Sequence, residues 1–152
     1  MKSFIFRLET VLALRTREEE RVREICAEAL RKQSAAMSAL ATANGELEAY
    51  HTAISQQRSG RTNRTEQILL LSAIQQQQAN CKLLVARCAA ADREVAIRRG
   101  ELLVARRKRE ALANLKDRQR DAHRLAAERQ EEATIADIIT ARHVLNMQEA
   151  LS

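Results

Sequence analysis

Apolar side chains recur along this chain at heptad spacing, in two long stretches separated by a short polar segment over residues 58–63. Apolar residues at positions a and d of a seven-residue repeat predict helices that pack along a narrow seam. The chain contains no proline, so neither stretch is interrupted by that residue. In the first stretch, position a holds Ile5, Leu12, Glu19, Cys26, Gln33, Leu40, Leu47 and Ile54, and position d holds Leu8, Arg15, Val22, Ala29, Ala36, Ala43 and Tyr50. In the second stretch, position a holds Ile74, Cys81, Cys88, Val95, Leu102 and Arg109, and position d holds Leu70, Gln77, Leu84, Ala91, Arg98, Ala105 and Leu112.

The two stretches predict an all-α fold, a long antiparallel two-helix coiled-coil hairpin with a C-terminal helix overhang. We expect helix one over about residues 4–58, the turn over 59–63 and helix two over about 64–148, in a single domain of residues 1–152. Folding back at this turn pairs residues whose numbers sum to about 124, which sets position a against position d. Residue 4 then lies near Arg120, and about thirty residues of helix two lack a partner in the chain.

The polar segment between the stretches has the chemistry of a helix end followed by a helix start. Gly60 is expected to adopt the left-handed conformation that closes helix one. Asn63 is expected to cap helix two, with Glu66 as its capping-box partner three residues later.

Composition favours a narrow seam over a globular core, because aromatic residues are few and many apolar positions are alanine. The formal net charge is +6, so nucleic acid, anionic lipid and acidic protein surfaces are the candidate partners. No apolar run is long enough for a signal peptide or a membrane-spanning helix.

No group of residues in the sequence predicts catalysis. The three histidines lie far apart, without the spacing of metal ligands, and we interpret them as exposed helix residues. Cys81 and Cys88 are two helical turns apart, too far to share a metal ion, and fit a helix seam better. The register does not place Cys26 opposite either of them, so no disulfide is expected. We therefore expect no enzymatic activity, no cofactor, no metal and a reducing compartment.

Positive charge is concentrated in residues 98–124, which hold ten Lys or Arg and only four acids. One interpretation is a solvated helix face with internal ion pairs such as Arg106 with Glu110. Asp117 and Asp121 would further reduce the repulsion between its basic side chains. The other is an electrostatic docking surface. Nucleic acid is the weaker choice of partner, because no aromatic residue lies among the arginines.

Three segments of the sequence resemble the flagellar export protein FliJ family. The opening FIFRLETVLALRTREEE over residues 4–20 is similar to that family's start, and RRKREALANLKDRQ over 106–119 is similar to its basic run and the motif that follows. The tail around Asp137 is similar to the family's closing acidic motif, although Ile138 stands where that motif usually has Glu. Stalk proteins of virulence-type type III secretion share this architecture and remain an alternative.

The resemblance implies a non-enzymatic stalk or adaptor of the flagellar type III export apparatus. Members of that family resemble the central stalk of rotary ATPases, and their two terminal ends enter the hexameric ring of the export ATPase and promote its activity. The hairpin tip is implicated in contact with the export gate protein FlhA, and escort of export chaperones is attributed to the family. The location implied is cytoplasmic, at the membrane base of the export apparatus, with membrane association through partners only and no nucleic acid.

The resemblance and the charge pattern together give two sets of candidate contact residues. Leu71 falls outside positions a and d, which makes it the best surface candidate near the tip. Two other functions stay open from the residues alone, a basic helical arm that binds nucleic acid and a self-associating structural coiled coil. The candidates for the ATPase contact are Arg106, Arg107, Lys108, Arg109, Arg118, Ile135, Ile138 and Ile139, and those for the gate contact are Tyr50, Leu71 and Ile74.

Overall fold

The structure, a computed structural model, describes residues 3–58, 60 and 63–151. Helix α1 spans Glu9–Arg58 and helix α2 spans Arg64–Leu151, and the described residues contain no strand. The helices hold 50 and 88 residues, or about 75 and 132 Å at a rise of about 1.5 Å per residue. The prediction of an all-α chain with two long helices that pack against each other is confirmed.

The chain divides into two compact units, and both helices contribute to each of them. Unit 1 comprises Met1–Arg17 and Arg106–Ser152. Unit 2 comprises Glu18–Ala105.

Unit 2 is built around a seam of small apolar side chains. Every residue assigned to position a or d between Glu18 and Ala105 is buried or half-buried, as the heptad pattern predicts. The most buried of these apolar residues are Cys26, Ala29, Ala36, Ala43, Ile74, Cys81 and Val95. All three cysteines of the chain are free thiols.

Polar contacts between the helices of unit 2 follow the predicted register. Gln33 Nε2 donates a hydrogen bond of 2.7 Å to Asp92 Oδ1. Gln77 Nε2 donates to the carbonyl of Ala43 at 3.0 Å and to Glu46 Oε2 at 2.8 Å. In each pair the residue numbers sum to about 124, which is the value expected when helices fold back at this turn. At these contacts the two helices therefore run in opposite directions.

One acid lies within the seam of unit 2. Glu19 is 3% exposed and its Oε1 accepts a bond of 2.9 Å from Arg23 one turn later in α1. A buried carboxylate is costly unless it is paired, so Arg23 offsets part of that cost.

The segment between the helices differs in one respect from the prediction. No described residue has a positive φ, so the expected left-handed conformation of Gly60 is wrong. Its amide instead contacts the carbonyl of Gln57 at 3.3 Å, which continues the last turn of α1 in a tighter form. The predicted cap is confirmed, because Asn63 Oδ1 accepts a bond of 3.2 Å from the amide of Thr65. Residues 59, 61 and 62 of the predicted turn lie outside the described residues.

Unit 1 begins differently from the heptad prediction. Helix α1 starts at Glu9 rather than near residue 4, so the assignment of Ile5 and Leu8 to seam positions is wrong. Ile5 is 79% exposed, whereas Phe6 is only 6% exposed. The reason is that heptad spacing sets burial only within a helix, and outside it the larger aromatic side chain is buried instead.

The first residues of unit 1 contact α2 through one aromatic pair and one ion pair. The rings of Phe4 and His123 are tilted, with centroids 5.8 Å apart, close to the predicted position of residue 4. Lys116 Nζ lies 2.7 Å from Glu9 Oε2. Beyond these contacts α2 continues to Leu151, three residues past the expected end, and every side chain over 128–149 is exposed.

Candidate docking surfaces

Several basic side chains of α2 in unit 1 are paired with neighbouring acids of the same helix. Arg106 Nε lies 2.8 Å from Glu110 Oε1, which is one of the i,i+4 pairs that the sequence predicted. Arg120 pairs with Asp117 at 3.2 Å and Arg124 with Asp121 at 3.9 Å. The interpretation as a solvated, internally paired face therefore holds for these residues. Arg109 is half-buried and lies 3.8 Å from Glu110.

Two adjacent cations in unit 1 differ from their neighbours. Arg107 and Lys108 are exposed, and neither makes an ion pair or hydrogen bond within the part of the chain that the structure describes. Arg118 is intermediate in this respect, because its Nε donates to the carbonyl of Asn114 at 3.4 Å. The free positive charge of this segment is thus much smaller than its count of ten basic residues suggests. Within unit 1, over residues 106–124, it is concentrated at Arg107 and Lys108.

The three isoleucines near the end of α2 form an exposed apolar stripe, which we call the distal stripe. Ile135, Ile138 and Ile139 are 57%, 50% and 62% exposed. Their spacing of three and four residues places them on one face of the helix. No described part of the chain buries them, so this face is available to another molecule.

The residues predicted for the gate contact lie in unit 2 but differ in accessibility. Leu71 is 54% exposed, as its position outside the seam predicts, and Tyr50 is half-buried. Ile74 is 6% exposed and packs in the seam, so it cannot present its side chain to a partner. Leu71 also lines a cavity of about 120 Å³ together with Ile54, Gln57 and Gln67.

Sequence reasoning missed two exposed aliphatic residues near Leu71. Ile68 and Leu69 are 60% and 66% exposed in the first turns of α2. Both fall at heptad positions b and c, which are polar in an ordinary two-helix coiled coil. Apolar residues at these outward positions were the available signal. Ile68 lies three residues from Leu71 on the same side of the helix and forms with it the apolar surface next to the turn, whereas Leu69 lies on another side.

Two further observations concern metal binding and membrane crossing. Within the described residues, no group of His, Cys, Asp and Glu side chains could hold a metal ion. Neither helix contains, over the same residues, a stretch long and apolar enough to cross a bilayer.

Comparison with known proteins bears on the whole chain. The family model described as "Flagellar FliJ protein" matches residues 3–147, which include nearly all of both helices. No curated protein and no solved structure matches the chain. The matched region covers most of unit 1, all of unit 2 and every candidate contact residue, so the resemblance seen in three segments extends along the sequence. The chain belongs to the flagellar FliJ protein family.

Proposed function

We propose that this protein is a non-enzymatic stalk or adaptor of the flagellar type III export apparatus, which inserts into the export ATPase ring, activates it and links it to the gate protein FlhA. Membership of the family supports a role in flagellar export. The proposal treats residues 1–152 as a single coiled-coil hairpin that acts in the cytoplasm at the membrane base of the apparatus. Export chaperones are further partners in this proposal.

The proposed ATPase contact is supported by the combination of free positive charge and exposed apolar surface in unit 1. Arg107 and Lys108 have no acidic partner among the described residues, and the distal stripe is about half exposed or more. Free cations attract an acidic surface from a distance, whereas apolar contacts mainly slow dissociation once two proteins have met. Arg106, Arg109 and Arg118 would contribute less, because each already has a partner in the chain.

The proposed gate contact rests on the apolar surface next to the turn in unit 2. Leu71 is its best candidate, with Ile68 beside it, and both are more than half exposed. Tyr50 can contribute only its exposed edge, since it is half-buried. Exposed aliphatic side chains that adjoin on one helix face offer a surface for contact with another protein.

The proposal is tested with charge reversal in unit 1. The double variant Arg107→Glu/Lys108→Glu should slow association with the purified export ATPase by about tenfold or more and reduce its stimulation of ATP hydrolysis. Raising the salt concentration should reduce the difference from the wild type, because exposed charges are screened over about 8 Å at physiological ionic strength. The readouts are ATPase rate and binding kinetics across a salt series.

Two controls make this test specific. The double variant Arg21→Glu/Arg31→Glu makes the same change of charge at exposed positions in unit 2 and should leave ATPase stimulation unchanged. Leu71→Asp should also leave stimulation unchanged but weaken binding to FlhA. If the reversal in unit 1 has no more effect than the reversal in unit 2, the proposed ATPase contact is wrong.

A further inference from the structure

Helix α2 carries a second apolar stripe within unit 2, on the face turned away from the seam. Leu83, Ala90, Ile97 and Val104 follow one another at intervals of seven residues, all at heptad position c. Their side chains are exposed, by 72% for Leu83, 57% for Ile97 and 51% for Val104. This position lies well over 90° around the helix from the seam, where a two-helix coiled coil normally places polar residues.

Part of the border of the stripe is made of very small residues, on both sides of Arg93. Ala86 and Gly100 lie at the fully outward position next to the stripe, and both are exposed. An added Cβ at Gly100 would meet nothing within 4 Å, so the space beside it is open. Helices that pack at heptad spacing insert side chains into such holes between larger residues.

Both acids and cations lie near the stripe, with a positive excess: residues 82–104 hold five Lys or Arg and three acids, a net charge of 5 − 3 = +2. Asp92 accepts a hydrogen bond from Gln33, and Glu94 and Glu101 both bind the guanidinium of Arg98. Hydrogen bonds to Glu101 and then Glu94 raise the pKa of Arg98 above its ordinary value, and the one guanidinium is shared between the two carboxylates.

The other four cations of the same stretch have no such partners. Lys82, Arg87, Arg93 and Arg99 are exposed and make no ion pair or hydrogen bond within the described residues. Arg87 and Arg93 lie at heptad positions g and f, on either side of the stripe, whereas Arg99 at position e lies on the far side of the helix. The surface of α2 around the stripe over residues 82–104, which we call the outer face, therefore presents apolar side chains with free positive charge at Arg87 and Arg93.

We propose that the outer face binds an amphipathic α-helix of another protein, with an apolar stripe at heptad spacing and acidic residues on both flanks. The apolar stripe fits a helix that packs lengthwise over about 32 Å, the length of 21 residues at about 1.5 Å each. The free cations select acidic flanks. This surface contains none of the residues assigned to the ATPase or the gate, so the inference does not depend on those assignments.

Two other occupants fit the outer face less well. A second copy of this chain would bring the same free cations against each other, and like charges across a helix pair are unfavourable. A lipid surface favours helices with Trp, Phe or Leu on the buried face, whereas this face has no aromatic residue and mostly small side chains between Leu83 and Val104.

The test uses a designed probe and the full-length protein. The probe is a fluorescent peptide of about four heptads with Leu at a, Ala at d and Glu at e and g, so that like charges keep it from pairing with itself. We expect saturable binding by fluorescence anisotropy. The variant Ile97→Glu should weaken it by about tenfold or more, because it places a charge in the centre of the contact.

The matched control has the same substitution on the other helix of unit 2. Met37 is 58% exposed, against 57% for Ile97, so Met37→Glu adds the same charge at equal accessibility and should leave probe binding within about twofold. A probe with Lys in place of Glu should bind the wild type at least about tenfold more weakly. It should bind better to the double variant Arg87→Glu/Arg93→Glu, which reverses the charge of the outer face.

The alternatives give different results. Equal loss of probe binding in Ile97→Glu and Met37→Glu, or equal binding of the acidic and basic probes, would overturn the proposal. Concentration-dependent dimerisation of the wild type that Ile97→Glu abolishes, seen by sedimentation, would assign the face to a second copy instead. Flotation with phosphatidylglycerol vesicles that Ile97→Glu abolishes, without binding of the acidic probe, would assign it to lipid.

Discussion

The two units of this chain use the same helices but bury their apolar residues very differently. Apart from Phe6, every buried apolar residue among those described lies in unit 2. Unit 1 instead leaves most of its large aliphatic side chains about half exposed, including the three isoleucines of the distal stripe. The comparison shows that apolar periodicity alone does not decide whether a face is a core or a contact surface. What decides is whether another part of the chain covers that face.

The largest expected effect separates two isoleucines of the same helix. Ile74→Ala, at a residue 6% exposed in unit 2, should lower the free energy of unfolding by about 2–4 kcal/mol, because it leaves a cavity in the seam. Ile138→Ala, at a residue 50% exposed in unit 1, should change it by less than about 0.5 kcal/mol. Urea unfolding followed by circular dichroism measures both. Similar losses for the two variants would show that the distal stripe is covered in the free protein.

The second effect concerns the one buried aromatic residue described in unit 1. Phe6→Ala should destabilise the contact of residues 3–17 with α2 by about 2 kcal/mol, since burial of a large apolar side chain is lost. Faster hydrogen exchange should follow at amides of α1 within unit 1, while amides near Ile74 in unit 2 stay protected. Ile5→Ala is the control, because Ile5 is 79% exposed. Loss of protection in both units would show that they unfold together.

The smallest effect concerns the ion pair between Glu9 and Lys116, whose side chains are 58% and 32% exposed. A double-mutant cycle with Glu9→Gln and Lys116→Met should give a coupling energy of about 0.2–1 kcal/mol that falls as salt is added. Local hydrogen exchange in unit 1 is the measurement. A coupling well above this range, or one insensitive to salt, would mean that the pair is far less solvated than its exposure indicates.

Much of the fold could be predicted from spacing alone, and unit 2 shows why. Its residues at positions a and d are covered by the other helix, so the pattern and the burial agree at each of these positions. Asn63 was predictable as a cap for a similar reason, since its side chain acts on an amide only two residues away.

The errors occur where the pattern carried no information about geometry. Ile5 and Leu8 continue the repeat in the sequence, but helix α1 has not yet begun at those residues. Gly60 permits a left-handed conformation without requiring it. Its amide instead bonds to the carbonyl of Gln57 at the end of α1. The pairing of individual arginines also depends on side-chain rotamers, so the sequence could not distinguish Arg107 and Lys108 from Arg106.

The alanine layers of unit 2 have a mechanical consequence. Ala29, Ala36 and Ala43 follow one another at successive d positions, and all are buried. An alanine side chain has no rotamers to adjust, and a close-packed contact yields little when one surface moves against the other. Rotation or sliding imposed on one helix at these layers would thus be passed to the other helix as torque, with little loss to side-chain rearrangement.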